Sequence, residues 1–254
     1  MDLPKPKLAN ITAITMTSPD LARSLNYYQK LGFREVMRFD FPFPWIQITD
    51  GALLMMLRLG KDPYLALTYY VVDIDKIVSG LEDDSVVFSE KPAPTDIVKR
   101  YLIQSPDGLT VSLVNIIEGF TQPEGPTMLN MPQQEMFNPE KYVNKVCGMF
   151  GELAHPVKDL EASIEWWKKL GFVALSKSTM PYPWAILSDG LAVVGVHQTT
   201  NFDYPAITFF AADMKDKIEK LKSAGLEGYP ETAGGNLTLI TPEKQHINLF
   251  KMGM

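Results

Sequence analysis

One stretch of the chain has a counterpart later in the same chain. Residues Asp20 to Gly51, DLARSLNYYQKLGFREVMRFDFPFPWIQITDG, align without a gap on Asp159 to Gly190, DLEASIEWWKKLGFVALSKSTMPYPWAILSDG, at a constant offset of 139 residues. The matches include Leu31-Gly32-Phe33 with Leu170-Gly171-Phe172, Pro42 with Pro181, Pro44-Trp45 with Pro183-Trp184, and Asp50-Gly51 with Asp189-Gly190. A solenoid unit is about 20 to 50 residues long, so a period of this size means duplicated domains. Each copy must then bury its own core, and a chain with 46% hydrophobic and 11% aromatic residues can supply two.

Charge and cysteine usage narrow the possible partners. A net charge of −6 and a pI near 5.2 disfavour a nucleic-acid partner, which needs clustered Lys and Arg. The pairs Lys99-Arg100 and Lys168-Lys169 are too short for such a patch and read as ordinary solvated faces. No run approaches the roughly 18 apolar residues of a membrane span, and the first residues lack the apolar core of a signal peptide. The expected protein is cytoplasmic, bound to no membrane and to no nucleic acid, a monomer or homodimer with a small-molecule ligand. Cys147 is the only cysteine, so no internal disulfide forms, and it reads as a small buried residue.

Hydrophobic periodicity places the elements. Leu8 to Thr17 reads as a strand; Ser18-Pro19-Asp20 then opens a helix whose apolar stripe is Leu21, Leu25, Tyr28 and Leu31, closed by Gly32. Three strand-like runs follow, Phe33 to Phe41, Trp45 to Thr49 and Ala52 to Leu59, separated by Pro42-Phe43-Pro44 and Asp50-Gly51 turns. This is a βαβββ module. A second comprises Leu65 to Val72, a helix from Ile74 to Leu81, Val86 to Phe88, Lys99 to Ile103 and Leu109 to Asn115. After a Pro-, Gln- and Asn-rich connection with no expected strand, the third module runs from Met149 to His197. The fourth runs from Ala206 to Phe250. The fold class is therefore α+β: four βαβββ modules paired as two curved sheets, with domains at 1–118 and 146–254 joined by 119–145.

With those elements in place, the chain resembles the vicinal oxygen chelate superfamily, which includes glyoxalase I, bleomycin-resistance proteins and extradiol dioxygenases. The likeness rests on DL-x-x-S-(L/I)-x-(Y/W)-(Y/W)-x-K-L-G-F at Asp20 to Phe33 and Asp159 to Phe172, and on the Ser105-Pro106-Asp107-Gly108 turn before a terminal strand. Metal-bearing members carry His, Glu or Gln seven residues before the helix-opening Asp and four after the last-turn Gly. Here those positions hold Ala13, Met55, Ala66 and Ser112 in the first domain, and Glu152, Val194, Ala206 and Asn248 in the second. Only Glu152 is a good ligand, whereas a catalytic divalent ion generally keeps about three. No metal or other cofactor is expected on this pattern. The alternative is a divalent ion on Glu152 and His246 with Asn248 or water.

Under the superfamily layout, residues two apart on a strand share a pocket wall. The first pocket is then lined by Ala13, Thr15, Thr17, Ala66, Thr68, Tyr70, Thr110 and Ser112. The second has Glu152, Thr208, Phe210, His246 and Asn248, with Trp184 as a further wall residue. These six are the expected ligand-binding residues, and Glu152 and His246 are the pair that could share a proton in catalysis. His155 is expected to be structural, on the helix side where Met16 stands in the first copy. The expected function is binding of a small organic molecule in a concave pocket. A metal-dependent lyase, isomerase or dioxygenase is the catalytic alternative, and a non-catalytic scaffold the third.

Overall fold

The computed structural model describes residues 3–115, 119–231 and 236–253. Its elements follow the four-module order: β1 (Ile11–Ser18), α1 (Leu21–Lys30), β2 (Arg34–Phe39), β3 (Trp45–Thr49) and β4 (Leu54–Leu59), then β5 (Leu65–Val71), α2 (Ile74–Asp83), β6 (Phe88–Glu90), β7 (Arg100–Gln104) and β8 (Thr110–Asn115). The second half gives β9 (Met149–Pro156), α3 (Leu160–Lys169), β10 (Val173–Ser178), β11 (Trp184–Ser188) and β12 (Val193–His197), then β13 (Ala206–Ala211), α4 (Met214–Ser223), β14 (Gly228–Glu231), β15 (Asn236–Ile240) and β16 (His246–Lys251). The connection carries a single 3-10 turn at Pro139–Lys141 and an isolated bridge between Asn144 and Gly148.

Local chemistry explains the helix boundaries. Asp20 caps α1 by accepting from Ala22 N and Arg23 N, and Asp159 caps α3 by accepting from Ala162 N. Gly32 and Gly171 then leave the helices at φ +87° and +92°, a conformation that favours glycine. The expected strand at Val86 to Phe88 is corrected to Phe88–Glu90. Ser85 adopts φ +60° and Val86 N donates to Leu81 O at 2.9 Å, so Val86 completes the end of α2 and is not free to join the sheet.

Each half of the chain forms one mixed eight-stranded sheet. The first has the order β2-β3-β4-β1-β5-β8-β7-β6 and the second β10-β11-β12-β9-β13-β16-β15-β14. The β5–β8 and β13–β16 pairs are parallel, while β2–β3–β4 and β10–β11–β12 are antiparallel meanders. The two orders are identical when β1 to β8 are matched in turn to β9 to β16. This is the α+β arrangement of paired βαβββ modules.

Compactness divides the chain differently. One unit holds the residues up to Ile14, Leu65–Gln122 and Ala154–Tyr204; the other holds Thr15–Tyr64, Pro123–Leu153 and the residues from Pro205 onward. The first unit therefore contains modules two and three. Its core includes Tyr69, Trp167 and Phe172, and Tyr69 OH donates to Asp189 Oδ2 at 2.7 Å. The second unit contains modules one and four, cored by Tyr28, Phe33, Phe150 and Phe209 in edge-to-face contacts. There Asn144 Nδ2 donates to Asp50 Oδ2 and to Leu31 O, both at 3.1 Å. Asp50 and Asp189 are the same turn residue in the two copies. Each is buried, and burial raises its pKa against the lowering effect of backbone N–H groups and one side-chain donor, Asn144 for Asp50 and Tyr69 for Asp189.

Candidate functional site

In the unit built from modules one and four, strand register brings four of the expected site residues together. Thr208 pairs with Asn248, Phe210 with Phe250 and Ala206 with His246 across β13 and β16. Thr238 and Ile240 of β15 pair in turn with Asn248 and His246. Cross-strand partners share a face, so Thr208, Phe210, His246 and Asn248 lie on one surface with Thr238 and Phe250. The intervening Ile207, Phe209, Leu237, Ile247 and Leu249 occupy the opposite, buried face.

This surface is polar at its centre and aromatic at one end. Thr238 Oγ1 donates to Asn248 Oδ1 at 2.9 Å, which fixes the amide. Thr208 Oγ1, beside Asn248 in the register, is buried and makes no hydrogen bond within the protein. The Phe210 and Phe250 rings meet edge to face at 6.1 Å. Phe210 also lies over β9: a Cβ at Gly151 would stand 2.4 Å from its Cε2 atom. Glu152, the next residue along β9, is 5% exposed and belongs to the same unit, on the strand that neighbours β13.

The corresponding positions of modules one and two carry Ala13 for Glu152, Thr68 for Thr208 and Ser112 for Asn248. Thr68 pairs with Ser112 across β5 and β8, and its Oγ1 is likewise buried without a hydrogen bond. The tertiary scaffold is therefore kept while the titratable groups are confined to one copy.

Trp184 stands in the other unit, on the face that β11 and β12 share with His197. His197 is enclosed by Tyr182 at 5.9 Å and Phe202 at 5.7 Å, and Phe202 meets Tyr204 at 5.9 Å. Trp184 Nε1 donates to Met180 O at 3.0 Å, which holds the indole across the turn. This aromatic cluster around an imidazole was not legible in the sequence, because counting four residues past the turn glycine lands on the wrong face. The counted residues Val194 and Met55 pair with Leu187 and Ile48, whereas Trp184 and Trp45 pair with His197 and Arg58. The signal that finds them is the register from the Trp. In the first copy Arg58 Nε donates to Thr17 Oγ1 at 3.3 Å, and its guanidinium lies 4.0 Å from the Tyr64 ring centre.

His155 is 3% exposed, as expected of a packed residue. Burial lowers its pKa to about 4, against the raising effect of Asp107. The Cys147 thiol is fully buried and donates to Leu31 O at 3.4 Å, and desolvation pushes its pKa up. It is not an available nucleophile.

The architecture and the module order are a tandem fold of paired βαβββ modules, and the chain shares it with solved structures of low sequence identity. Among solved structures the chain is similar to homoprotocatechuate 2,3-dioxygenase from Arthrobacter globiformis, at 13% identity and a TM-score of 0.61, covering 99% of this chain and 82% of that one. It is also similar to the 2,3-dioxygenase LapB from Pseudomonas sp. KL28, at 12% identity and a TM-score of 0.60, covering 100% and 94%. Homoprotocatechuate 2,3-dioxygenase from Brevibacterium fuscum matches at 15% identity and a TM-score of 0.59, covering 98% and 72%. No protein-family model and no curated protein sequence matches the chain significantly. No helix among the described residues is long and apolar enough to cross a membrane.

These neighbours correct the expectation that the chain takes no cofactor. They are extradiol dioxygenases, an iron-dependent class, so the expected absence of a cofactor does not stand. The donors do not fit a three-ligand centre: among the described residues no group of three or more His, Cys, Asp or Glu side chains stands close enough to hold an ion.

Proposed function

We propose that the protein binds a small organic molecule with an apolar, planar body and one or two polar groups. The binding surface is the one that carries Thr208, Phe210, His246 and Asn248, with Glu152 on the neighbouring strand. The observation that carries this reading is Thr208 Oγ1, a buried hydroxyl with no protein partner beside an amide already fixed by Thr238. Buried polar groups are normally paired, so a ligand that supplies the missing partner gains a hydrogen bond in a desolvated place. Phe210 and Phe250 provide the apolar contact, and Trp184 with His197 a second aromatic surface in its own unit. Glu152 and His246 are assigned the proton-bearing roles, as ligand anchors or as an acid–base pair.

The test is a thermal-shift screen against metabolites and aromatic compounds, followed by titration of each hit. Glu152→Ala or His246→Ala should weaken binding at least tenfold while the circular dichroism spectrum is unchanged; Ser112→Ala should leave it intact. Loss of binding in Ser112→Ala with Glu152→Ala unaffected would place the site in the other copy. The dioxygenase-like fold favours a second reading, a metal-dependent lyase or dioxygenase. Elemental analysis of protein purified without chelator distinguishes the two: stoichiometric metal that disappears in Glu152→Ala supports the enzyme.

A further inference from the structure

The two copies of the helix face present different chemistry to the same place. In the unit of modules one and four, Ser24 and Tyr28 of α1 both donate to the buried carboxylate of Glu243, Tyr28 OH at 3.1 Å. Ser18 Oγ lies 2.7 Å from Ser24 Oγ, and Tyr28 OH stands 3.7 Å from Met16 Sδ. Every polar atom of that group has a partner.

The 139-residue repeat puts Ser163 and Trp167 of α3 where Ser24 and Tyr28 stand, and His155 where Met16 stands. Ser163 and Trp167 are four residues apart and share a helix face. The turn that supplies Glu243 to α1 corresponds to Asp107 in the unit of modules two and three, one methylene shorter. Asp107 does not turn inward: its Oδ1 accepts from Lys158 N at 3.0 Å. Ser163 Oγ, Trp167 Nε1 and His155 Nδ1 are all buried and all lack a hydrogen-bond partner. Ser105 Oγ, two residues before Asp107, lies 3.4 Å from His155 Nε2 on the other side of the ring. Where one unit holds a carboxylate, the other holds its donors alone.

We propose that this side of α3 is an internal binding site for a small anion of carboxylate size, held by Ser163 Oγ, Trp167 Nε1 and the His155 ring. The indole N–H only donates, so its partner must be an acceptor. A carboxylate accepts at two oxygens, as Glu243 does from Ser24 and Tyr28. The side chain of His155, which replaces Met16, adds a polar edge that the carboxylate-filled copy lacks. The site is independent of the ligand face on β13 and β16, which lies in the other unit.

The test uses the whole chain and sodium formate as the probe, with sodium chloride at equal ionic strength as the control. Formate should raise Tm saturably, by about 3 °C once its concentration is tenfold above Kd. Asp107→Glu restores the side-chain length of Glu243; it should raise Tm without formate and abolish the formate response. Ser163→Ala removes one donor without adding bulk and should weaken the response at least fivefold. The proposal is overturned if the wild-type protein responds no more to formate than to chloride. An undiminished formate response in either Asp107→Glu or Ser163→Ala overturns it as well.

Discussion

His155 is a buried, neutral imidazole, and its burial has a consequence in acid. Its folded-state pKa is about 4 and its ordinary value 6.5, so between those values the unfolded chain binds a proton that the folded chain does not. Its contribution to stability is therefore complete above pH 6.5 and is lost progressively as the pH falls to 4. The loss amounts to about 2 kcal/mol between pH 7 and pH 5. His155→Met, which copies Met16, should flatten that slope in formate-free buffer. Urea midpoints at the two pH values measure it, and parallel slopes in both proteins would contradict the assignment. Asp50 and Asp189, whose pKa values are raised, contribute in the opposite direction at lower pH, equally in both proteins. That His155 is buried was readable from strand alternation and the Met16 counterpart. The missing partner on Nδ1 was not, because it depends on how far the Asp107 side chain reaches.

Helix boundaries were the most legible elements, since capping acts over two or three residues. Asp20 and Asp159 each accept from backbone N–H groups of the first turn. Asp20→Ala and Asp159→Ala should each lower stability by about 1 kcal/mol, read as a lower urea midpoint at unchanged m. An unchanged midpoint would mean that water replaces the cap at no cost. Strand phase was less legible. The β4 and β12 strands each follow their turn with one more residue than β8 does, so the same count from glycine selects Met55 and Val194 where register selects Met56 and Gly195. A one-residue error exchanges the two faces of a strand, and this hid the His197 cluster.

At the scale of the molecule, sheets and compact units divide the chain along different lines. Each sheet uses one half of the sequence, but each compact unit takes modules from both halves. Residues 146–254 expressed alone should therefore lack cooperative thermal unfolding, because the buried Glu243 would lose Ser24 and Tyr28 and the buried Asp189 would lose Tyr69. Co-expression with residues 1–145 should restore it. A sharp calorimetric transition of the isolated segment would refute this reading.

By itself the sequence determined the duplication, the four-module order and the residue types available at each wall position. Those signals are local: caps act over one turn, alternation over two residues, and a repeat is visible as text. Only the tertiary structure decided which module packs with which. Glu243 meets Ser24 across 219 residues of chain, and Asp189 meets Tyr69 across 120. Such pairings are selected by the cost of leaving a buried carboxylate without donors. That cost exists only once the chain has closed around the group, so no short stretch of sequence carries it.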